Sequence, residues 1–187
     1  MSAQPHNGLL CASMDIAMRL TSKITTHNPE WSTRFKDEAD RIRPVIGSAL
    51  CGVHHVGSTA VAGLSAKPEI DILIIVDRLE ETSAWTGRFF NLGYLRGKNL
   101  SPGHLFYKRN VDGVRTHKLH ICIEGHGKIL EMLTFRDALR SDASLRTSYE
   151  KLKLKLEAEN SNGIGEYLEG KAPFIRSALD RINAGAT

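Results

Sequence analysis

The segment Val56-Gly57-Ser58, followed after a ten-residue spacer by Glu69-Ile70-Asp71-Ile72, decides the fold of this chain. A glycine lets the backbone approach a phosphate closely, and the amides and hydroxyl that follow it can bind phosphate oxygens. Side chains two residues apart on a strand point to the same face, so Glu69 and Asp71 would present oxygen ligands at one place. Such a pair suits Mg²⁺ (or Mn²⁺) beside the phosphates of a nucleoside triphosphate.

The composition indicates an ordinary globular domain. The chain has 187 residues, of which 41% are hydrophobic and 25% are charged, so it can bury a sizeable core. Its net charge of +4 suits a nucleotide as well as a nucleic acid. Dense basic runs interleaved with aromatic residues do not occur in the sequence, so we expect a small-molecule partner rather than nucleic acid. Residues 1–22 read as a loosely ordered extension, and residues 23–187 read as one domain.

The three cysteines bear on the cellular compartment. Cys11, Cys51 and Cys122 are odd in number and widely spaced, which argues against a disulfide framework and a zinc knuckle. Cys51 and Cys122 sit in apolar stretches, where we expect small core residues. The sequence offers no stretch that could span a bilayer and no secretory signal at its start, so we expect no membrane association. These features favour the reducing cytoplasm.

Apolar periodicity predicts strands and helices that alternate at first and end in a helical part. The predicted strands cover residues 51–56, 70–76, 94–96, 104–109 and 115–123, with a turn at Asp112-Gly113 between the last two. The predicted helices cover residues 29–50, 79–92, 128–139, 143–160 and 165–182. This order indicates an α+β domain with a small mixed β-sheet, helices packed on one side of it, and a helical C-terminal part.

Over residues 25–182 the chain resembles the GrpB family, which is grouped by fold with the nucleotidyltransferases of the DNA polymerase beta superfamily. Several motifs carry the resemblance: Asn28-Pro29-Glu30-Trp31, His55-Val56-Gly57-Ser58-Thr59-Ala60-Val61-Ala62-Gly63-Leu64, Ala66-Lys67-Pro68, Ile70-Asp71-Ile72, His117-Lys118-Leu119-His120 and Phe135-Arg136-Asp137-Ala138-Leu139-Arg140. Tyr149 with Leu152-Lys153, and Tyr167 with Lys171, also fall where the family carries such residues. The resemblance implies a nucleotidyltransferase-like fold and a site, but the substrate of the family is generally unassigned.

Two departures from the superfamily pattern concern the carboxylates. Many chains that resemble this one carry an apolar residue at the position of Glu69. The superfamily also expects a third carboxylate on a neighbouring strand, and here the matching strand offers His117 and His120, with Glu124 just past its end. Both departures weigh against a standard two-metal mechanism.

These patterns assign candidate roles to individual residues. Glu69 and Asp71 are the expected metal ligands and catalytic carboxylates, and His120 is expected to ligate the metal or to act as a base near neutral pH, unless it is a core histidine. Arg136 and Asp137 are expected to form an ion pair along a helix. The expected phosphate-binding residues are Gly57, Ser58, Thr59, Lys67 and, from the resemblance, Lys153 and Lys171.

The function that these residues favour is the metal-dependent transfer of a nucleoside monophosphate from a nucleoside triphosphate to a small-molecule acceptor. A nucleotide-binding module that has lost its chemistry is one alternative, indicated by the incomplete set of carboxylates. A protein that binds a partner through its helical tail is the other, indicated by the stripe of Leu145, Leu152 and Leu156.

Overall fold

The computed structural model describes residue 20, residues 22–79 and residues 82–185. Nearly all of the expected extension, residues 1–22, lies outside the described residues, as does Cys11. The division of the chain at residue 23 stays a prediction.

Within the described residues, every predicted strand and helix is present, with ends shifted by a few residues. The strands are β1 (Leu50–Val56), β2 (Ile70–Val76), β3 (Tyr94–Arg96), β4 (His104–Val111) and β5 (Val114–Ile123). The helices are α1 (Glu30–Ile46), α2 (Thr82–Asn91), α3 (Gly127–Ser141), α4 (Ala143–Ala158) and α5 (Ile164–Gly185). Short 3₁₀ turns follow α1 at Gly47–Ala49 and β1 at Ser58–Ala60.

The five strands form one mixed sheet in the order β1-β2-β5-β4-β3. The central pair, β2 and β5, runs parallel, and every other neighbouring pair runs antiparallel. The α+β architecture expected from the sequence is therefore confirmed, and the parallel pair brings the starts of β2 and β5 side by side.

Helices cover both faces of the sheet, so the expectation of helices on one side was wrong. On one face, Trp31 of α1 and Trp85 of α2 are buried in the same cluster as Ile72 of β2. On the other face, Met132 of α3 packs against a cluster that contains Leu73 of β2. The physical reason is the near-continuous apolar run of β2, whose side chains alternate between the two faces and need cover on each.

The two described cysteines differ in burial. Cys122 is buried in the sheet, as expected, whereas Cys51 is exposed, so its expected place in the core was wrong. Cys51 lies on the edge strand β1, within an irregularity of the pairing between Leu50 and Gly52. An apolar sequence context did not bury it, because an unpaired position on an edge strand faces solvent.

Helices α3, α4 and α5 pack together against the loop that follows β1. Leu139 and Tyr149 are buried in this cluster, and Leu145 packs against it. Leu156 lies directly over Gly170 of α5, where an added Cβ would approach its side chain closely. The leucine stripe of α4 therefore packs inside the molecule. No helix among the described residues is both long and apolar enough to cross a bilayer.

Candidate functional site

The loop between β1 and the 3₁₀ turn touches the start of β2. Val56 pairs with Asp71 across the antiparallel strands, and Gly57 follows with a φ of 71° and a ψ of −171°. A Cβ added at Gly57 would lie 3.0 Å from Cγ of Asp71. Only glycine allows both this backbone conformation and this contact. The Asp71 carboxylate therefore lies against the backbone just before Ser58.

Hydrogen bonds hold this loop in place from two sides. The hydroxyl of Thr59 donates to the carbonyl oxygen of Glu69 at 3.1 Å, and Nε2 of His55 lies 3.1 Å from the same hydroxyl. From α3, Arg140 donates to the carbonyl oxygen of Ala60 at 2.8 and 3.0 Å. The Thr59 hydroxyl is buried and engaged in these contacts. A phosphate could therefore contact Thr59 only through its backbone amide.

Arg136 of α3 contributes to the same support. Its guanidinium pairs with Asp137 at 2.8 Å, as expected from the sequence, and it also donates to the carbonyl oxygen of His55 at 3.1 Å. The two arginines of α3 thus hold the backbone on either side of Gly57 and Ser58.

Lys118 of β5 lies between the two carboxylates. Its Nζ is 2.6 Å from Oε2 of Glu69 and 3.6 Å from Oδ1 of Asp71. This position follows from the parallel register, in which Asp71 is the partner of Lys118. Ser22 donates a further hydrogen bond to Glu69 at 3.1 Å. Glu69 is thus held by two partners, and Asp71, whose side chain is 20% exposed, lines the cleft.

The environment separates the pKa values of these groups. Burial raises the pKa of Asp71 above its usual value, and the charge of Lys118 offsets only part of that effect. Burial also acts to raise the pKa of Glu69, but the charge and the hydrogen bond of Lys118 outweigh it and lower that pKa. For Lys118, burial acts to lower the pKa, and the charges of Asp71 and Glu69 outweigh it and raise the pKa. Lys118 therefore stays protonated near neutral pH.

Three more lysines line this side of the cleft. Both Lys67 and Lys171 contact the ring of Tyr167, with Nζ of Lys67 at 4.0 Å and Nζ of Lys171 at 4.4 Å from the ring centroid. Nζ of Lys67 is buried and has no hydrogen-bond acceptor among the described residues. Lys153 is almost fully buried, and its ammonium donates to the carbonyl oxygen of Ser65.

The charges of these lysines are costly to bury. Burial lowers the pKa of Lys153 to about 7, and the nearby charge of Lys171 adds to the effect. Burial likewise lowers the pKa of Lys171 to about 8, with Lys118 adding to it. Burial also lowers the pKa of Lys67. An anion in the cleft would relieve this cost, because it supplies the missing negative charge.

Two adjoining cavities share Ser58, Asp71 and Lys171. We call the smaller one, of about 70 Å³, the basic cavity; it is also lined by Lys67, Lys118, Lys153, Glu69 and Tyr167. The larger one, of about 200 Å³, lies under the C-terminal helices. Besides the shared residues it is lined by Gly57, by the side chains of Met132, Phe135, Leu139, Tyr149 and Ile175, and by the charged side chains of Lys128, Glu131 and Arg136. Ser58 and Asp71 thus share one cleft, and Tyr149 lines the larger cavity together with Ser58.

The structure shows which side chains His120 contacts. It lies on the same face of β5 as Lys118, but Nδ1 of His120 is 3.0 Å from Nε2 of His104, and its ring packs against Phe106. It lines neither cavity. Burial lowers the pKa of His120 to about 3, and the neighbouring His104 adds to the effect, so the ring is neutral near pH 7. His120 is therefore a half-buried histidine that contacts His104 and Phe106, and its expected role at the site stays a prediction.

The other candidates for the third carboxylate position also lie elsewhere. His117 faces the opposite side of the sheet, where Nδ1 is 3.0 Å from Nη2 of Arg109. Glu124 follows the far end of β5, beyond the pairing of Val76 with Ile123. Five residues of strand separate that end from Asp71, which amounts to about 16 Å. The strand neighbour of Asp71 is Lys118, which sequence reasoning did not single out.

The donor set bears on whether a metal ion fits. Among the described residues, no cluster of three or more histidine, cysteine, aspartate or glutamate side chains could hold a metal by itself. Mg²⁺, however, is commonly held by one or two carboxylates together with substrate phosphates and water. Asp71, with Glu69 beside it, fits that arrangement for one ion next to a bound phosphate chain.

Comparisons with known proteins agree with this architecture. The family model described as GrpB protein matches residues 21–181. The UPF0157 protein YqkA of Bacillus subtilis is 31% identical over 172 residues, which cover 91% of this chain and 50% of YqkA. This chain thus spans about half the length of that relative.

Solved structures with a similar fold include a relative and a more distant group. The crystal structure of conserved protein GrpB from Enterococcus faecalis matches with a TM-score of 0.76 at 31% identity, over 83% of this chain and 93% of that one. The Cid1 poly(U) polymerase, in its Mg 3′-dATP-bound structure, matches with a TM-score of 0.53 at 14% identity, over 79% of this chain and 49% of that one. The second likeness concerns the fold alone, which is that of a nucleotidyltransferase.

Proposed function

This chain belongs to the GrpB family, and on that premise we propose that it binds the triphosphate of a nucleotide in the cleft beside Asp71 and transfers the nucleoside monophosphate to a small-molecule acceptor. In this reaction an oxygen of the acceptor forms a bond to the α-phosphorus, the bond to the β-phosphate breaks, and pyrophosphate leaves. The acceptor proton passes to water in the open cleft.

One observation carries the proposal: four lysines face two carboxylates in the basic cavity, and the buried ammonium of Lys67 has no hydrogen-bond acceptor among the described residues. A buried donor without an acceptor is destabilising by roughly 1–3 kcal/mol, and more when it is charged, so such a group needs an explanation. Phosphate oxygens in the cavity would provide the acceptor and would balance the excess of positive charge.

The roles of the residues follow from their places in the cleft. Ser58 and the backbone beside Gly57 would bind phosphate oxygens where the two cavities meet. Lys67 and Lys171, whose ammonium groups both contact the ring of Tyr167, would bind the same phosphates as point charges. Lys153 would add charge from behind the loop, since its ammonium is bound to Ser65.

The carboxylates would hold Mg²⁺ or Mn²⁺ together with the phosphates. Asp71 is the principal ligand in this proposal. Glu69 lies next to it and forms an ion pair with Lys118. A divalent cation held by these residues would neutralise charge on the phosphates and would lower the pKa of a bound hydroxyl.

The proposed acceptor is a small molecule in the cytoplasm. The cavities beside Asp71 measure about 70 and 200 Å³, which suits a compact acceptor better than a polymer. The sequence also lacks the dense basic and aromatic runs of nucleic-acid binders. The described cysteines, Cys51 and Cys122, are free, which fits a reducing compartment.

A second candidate is a nucleotide-binding module without turnover. The observation that favours it is Lys118, which is the partner of Asp71 on the strand where the superfamily expects a third carboxylate. His120, the expected base, lines neither cavity, which adds to this.

Calorimetric titration with each of the four common ribonucleoside triphosphates, with and without Mn²⁺, tests the first step. We expect manganese-dependent binding that is lost in Asp71→Asn and kept in Asp77→Asn, a matched change at an exposed aspartate past the other end of β2. Nucleotide binding that does not depend on Mn²⁺, or that is unchanged in Asp71→Asn, would contradict the proposed site.

Pyrophosphate release across a panel of hydroxyl- and phosphate-bearing acceptors tests the second step. Turnover that requires Asp71 supports transfer of a nucleoside monophosphate. Tight nucleotide binding without release of pyrophosphate supports the module without turnover instead.

A further inference from the structure

Building on the function proposed above, we propose that the cleft holds one divalent cation per bound phosphate chain rather than two, because the ammonium of Lys118 supplies the second positive charge. Lys118 would thus be a positioning residue that sets the metal stoichiometry of the site.

The position of Lys118 is fixed by the sheet. Strands β2 and β5 run parallel, and the register pairs Asp71 with Lys118. Parallel neighbours in register point to the same face, so the lysine projects toward the two acidic side chains. Lys118 therefore reaches the carboxylates from β5, the neighbouring strand on which the superfamily pattern expects a third one.

The distances place the charge of Lys118 between the two acids. Nζ is 2.6 Å from Oε2 of Glu69 and 3.6 Å from Oδ1 of Asp71. In two-metal sites the ions lie about 3.5–4 Å apart and share bridging carboxylates. A second metal ion bound by both acids would lie within about 4 Å of the Lys118 ammonium, which already contacts them. The ammonium would repel this second ion.

Two further lysines add to the positive charge that would repel a second metal ion. Lys67 and Lys171 also line the basic cavity, on the side of Tyr167. The negative charges of Glu69 and Asp71 are thus already balanced by lysine ammonium groups. One divalent ion bound to Asp71 and the phosphates would then balance negative charge of the phosphate chain.

Equilibrium dialysis with Mn²⁺ and inorganic tripolyphosphate tests the stoichiometry without requiring turnover or a known base. Bound manganese and bound phosphate are counted per chain at saturation, and electron paramagnetic resonance detects magnetic coupling between neighbouring ions. We expect the full wild-type chain to retain one manganese and one tripolyphosphate, with the spectrum of an isolated ion.

The variant Lys118→Asp replaces the ammonium with a carboxylate. We expect it to retain two manganese ions per chain with a coupled spectrum, whereas Lys98→Asp, the same change at an exposed loop lysine, should retain one. A folded Lys118→Asp that retains one ion would overturn the inference. If that variant does not fold, the wild-type count decides alone: one ion supports the inference and two ions overturn it.

The outcomes also separate this inference from the proposed function. Two manganese ions on the wild-type chain would contradict the inference and leave the proposed function standing. Retention of no manganese by the wild-type chain in the presence of tripolyphosphate would contradict the metal site of the proposed function, and with it the inference.

Discussion

Gly57 lies against the carboxylate of Asp71 so closely that a Cβ on the glycine would come within 3.0 Å of Cγ of the aspartate. The two residues are 14 positions apart in the chain and belong to the two motifs that define the candidate site. Their contact joins the loop that ends in Ser58 to the acidic start of β2. The integrity of the cleft therefore depends on a residue without a side chain.

We expect Gly57→Ala to destabilise the fold by about 1–3 kcal/mol from its backbone conformation alone, and by more from the collision with Asp71. The measurement is urea unfolding. The control is Gly87→Ala on the exposed side of α2, where an added Cβ meets no atom within 4 Å and should stabilise the helix by about 0.5–1 kcal/mol. Equal stability of Gly57→Ala and the wild-type chain would contradict the contact.

Lys67→Met should stabilise the fold and at the same time weaken phosphate binding. Loss of a buried ammonium without an acceptor should raise the free energy of unfolding by about 1 kcal/mol, after allowance for the lost contact with Tyr167. Tripolyphosphate affinity should fall at least tenfold, since a direct phosphate partner is removed. Unfolding curves and calorimetry measure the two effects, with Lys98→Met as the control. A less stable variant with unchanged affinity would show that Lys67 serves the fold alone.

Arg140→Ala should loosen the loop without unfolding the domain. It removes two hydrogen bonds to the carbonyl oxygen of Ala60, a change that costs about 1–3 kcal/mol. Amide hydrogen exchange over residues 57–61 should become faster, and triphosphate affinity should fall. Arg34→Ala, which breaks an exposed ion pair with Glu30, should change neither. Unchanged exchange in the loop would argue against the supporting role of α3.

Stability should rise with pH between about 7 and 9. The pKa of Lys153 is about 7 in the folded chain and about 10.4 in an unfolded one, so the unfolded state binds more protons over this interval. The cost of burying this lysine is fully present below pH 7 and fades as pH rises toward the unfolded pKa. The slope contributed by one such lysine is at most about 1.4 kcal/mol per pH unit.

Urea unfolding at pH 7, 8 and 9 measures that slope. Lys153→Met should reduce the slope and leave the part contributed by Lys171, whose pKa is about 8, whereas Lys151→Met, at an exposed position of the same helix, should leave the slope unchanged. Identical slopes in the two variants would mean that Lys153 keeps its proton throughout this range.

Local sequence patterns predicted much of this protein. Alternating apolar residues predicted strands, 3.6-residue spacing predicted helices, and both signals depend only on neighbours in the chain. The Gly-Ser turn and the acidic strand were likewise recognisable as motifs, and the structure brings Ser58 and Asp71 into one cleft. The two Tyr–Lys pairs of α4 and α5 were singled out by family resemblance, and they line the same cleft.

The remaining features depended on how distant segments pair. The sequence by itself determined the elements and the two halves of the site, because those are properties of short stretches. Only the tertiary structure decided that β5 runs parallel to β2 in a register that sets Lys118, rather than His120 or Glu124, beside Asp71. A shift of one residue would turn every side chain of β5 to the opposite face, and no local pattern fixes the register between strands 47 residues apart.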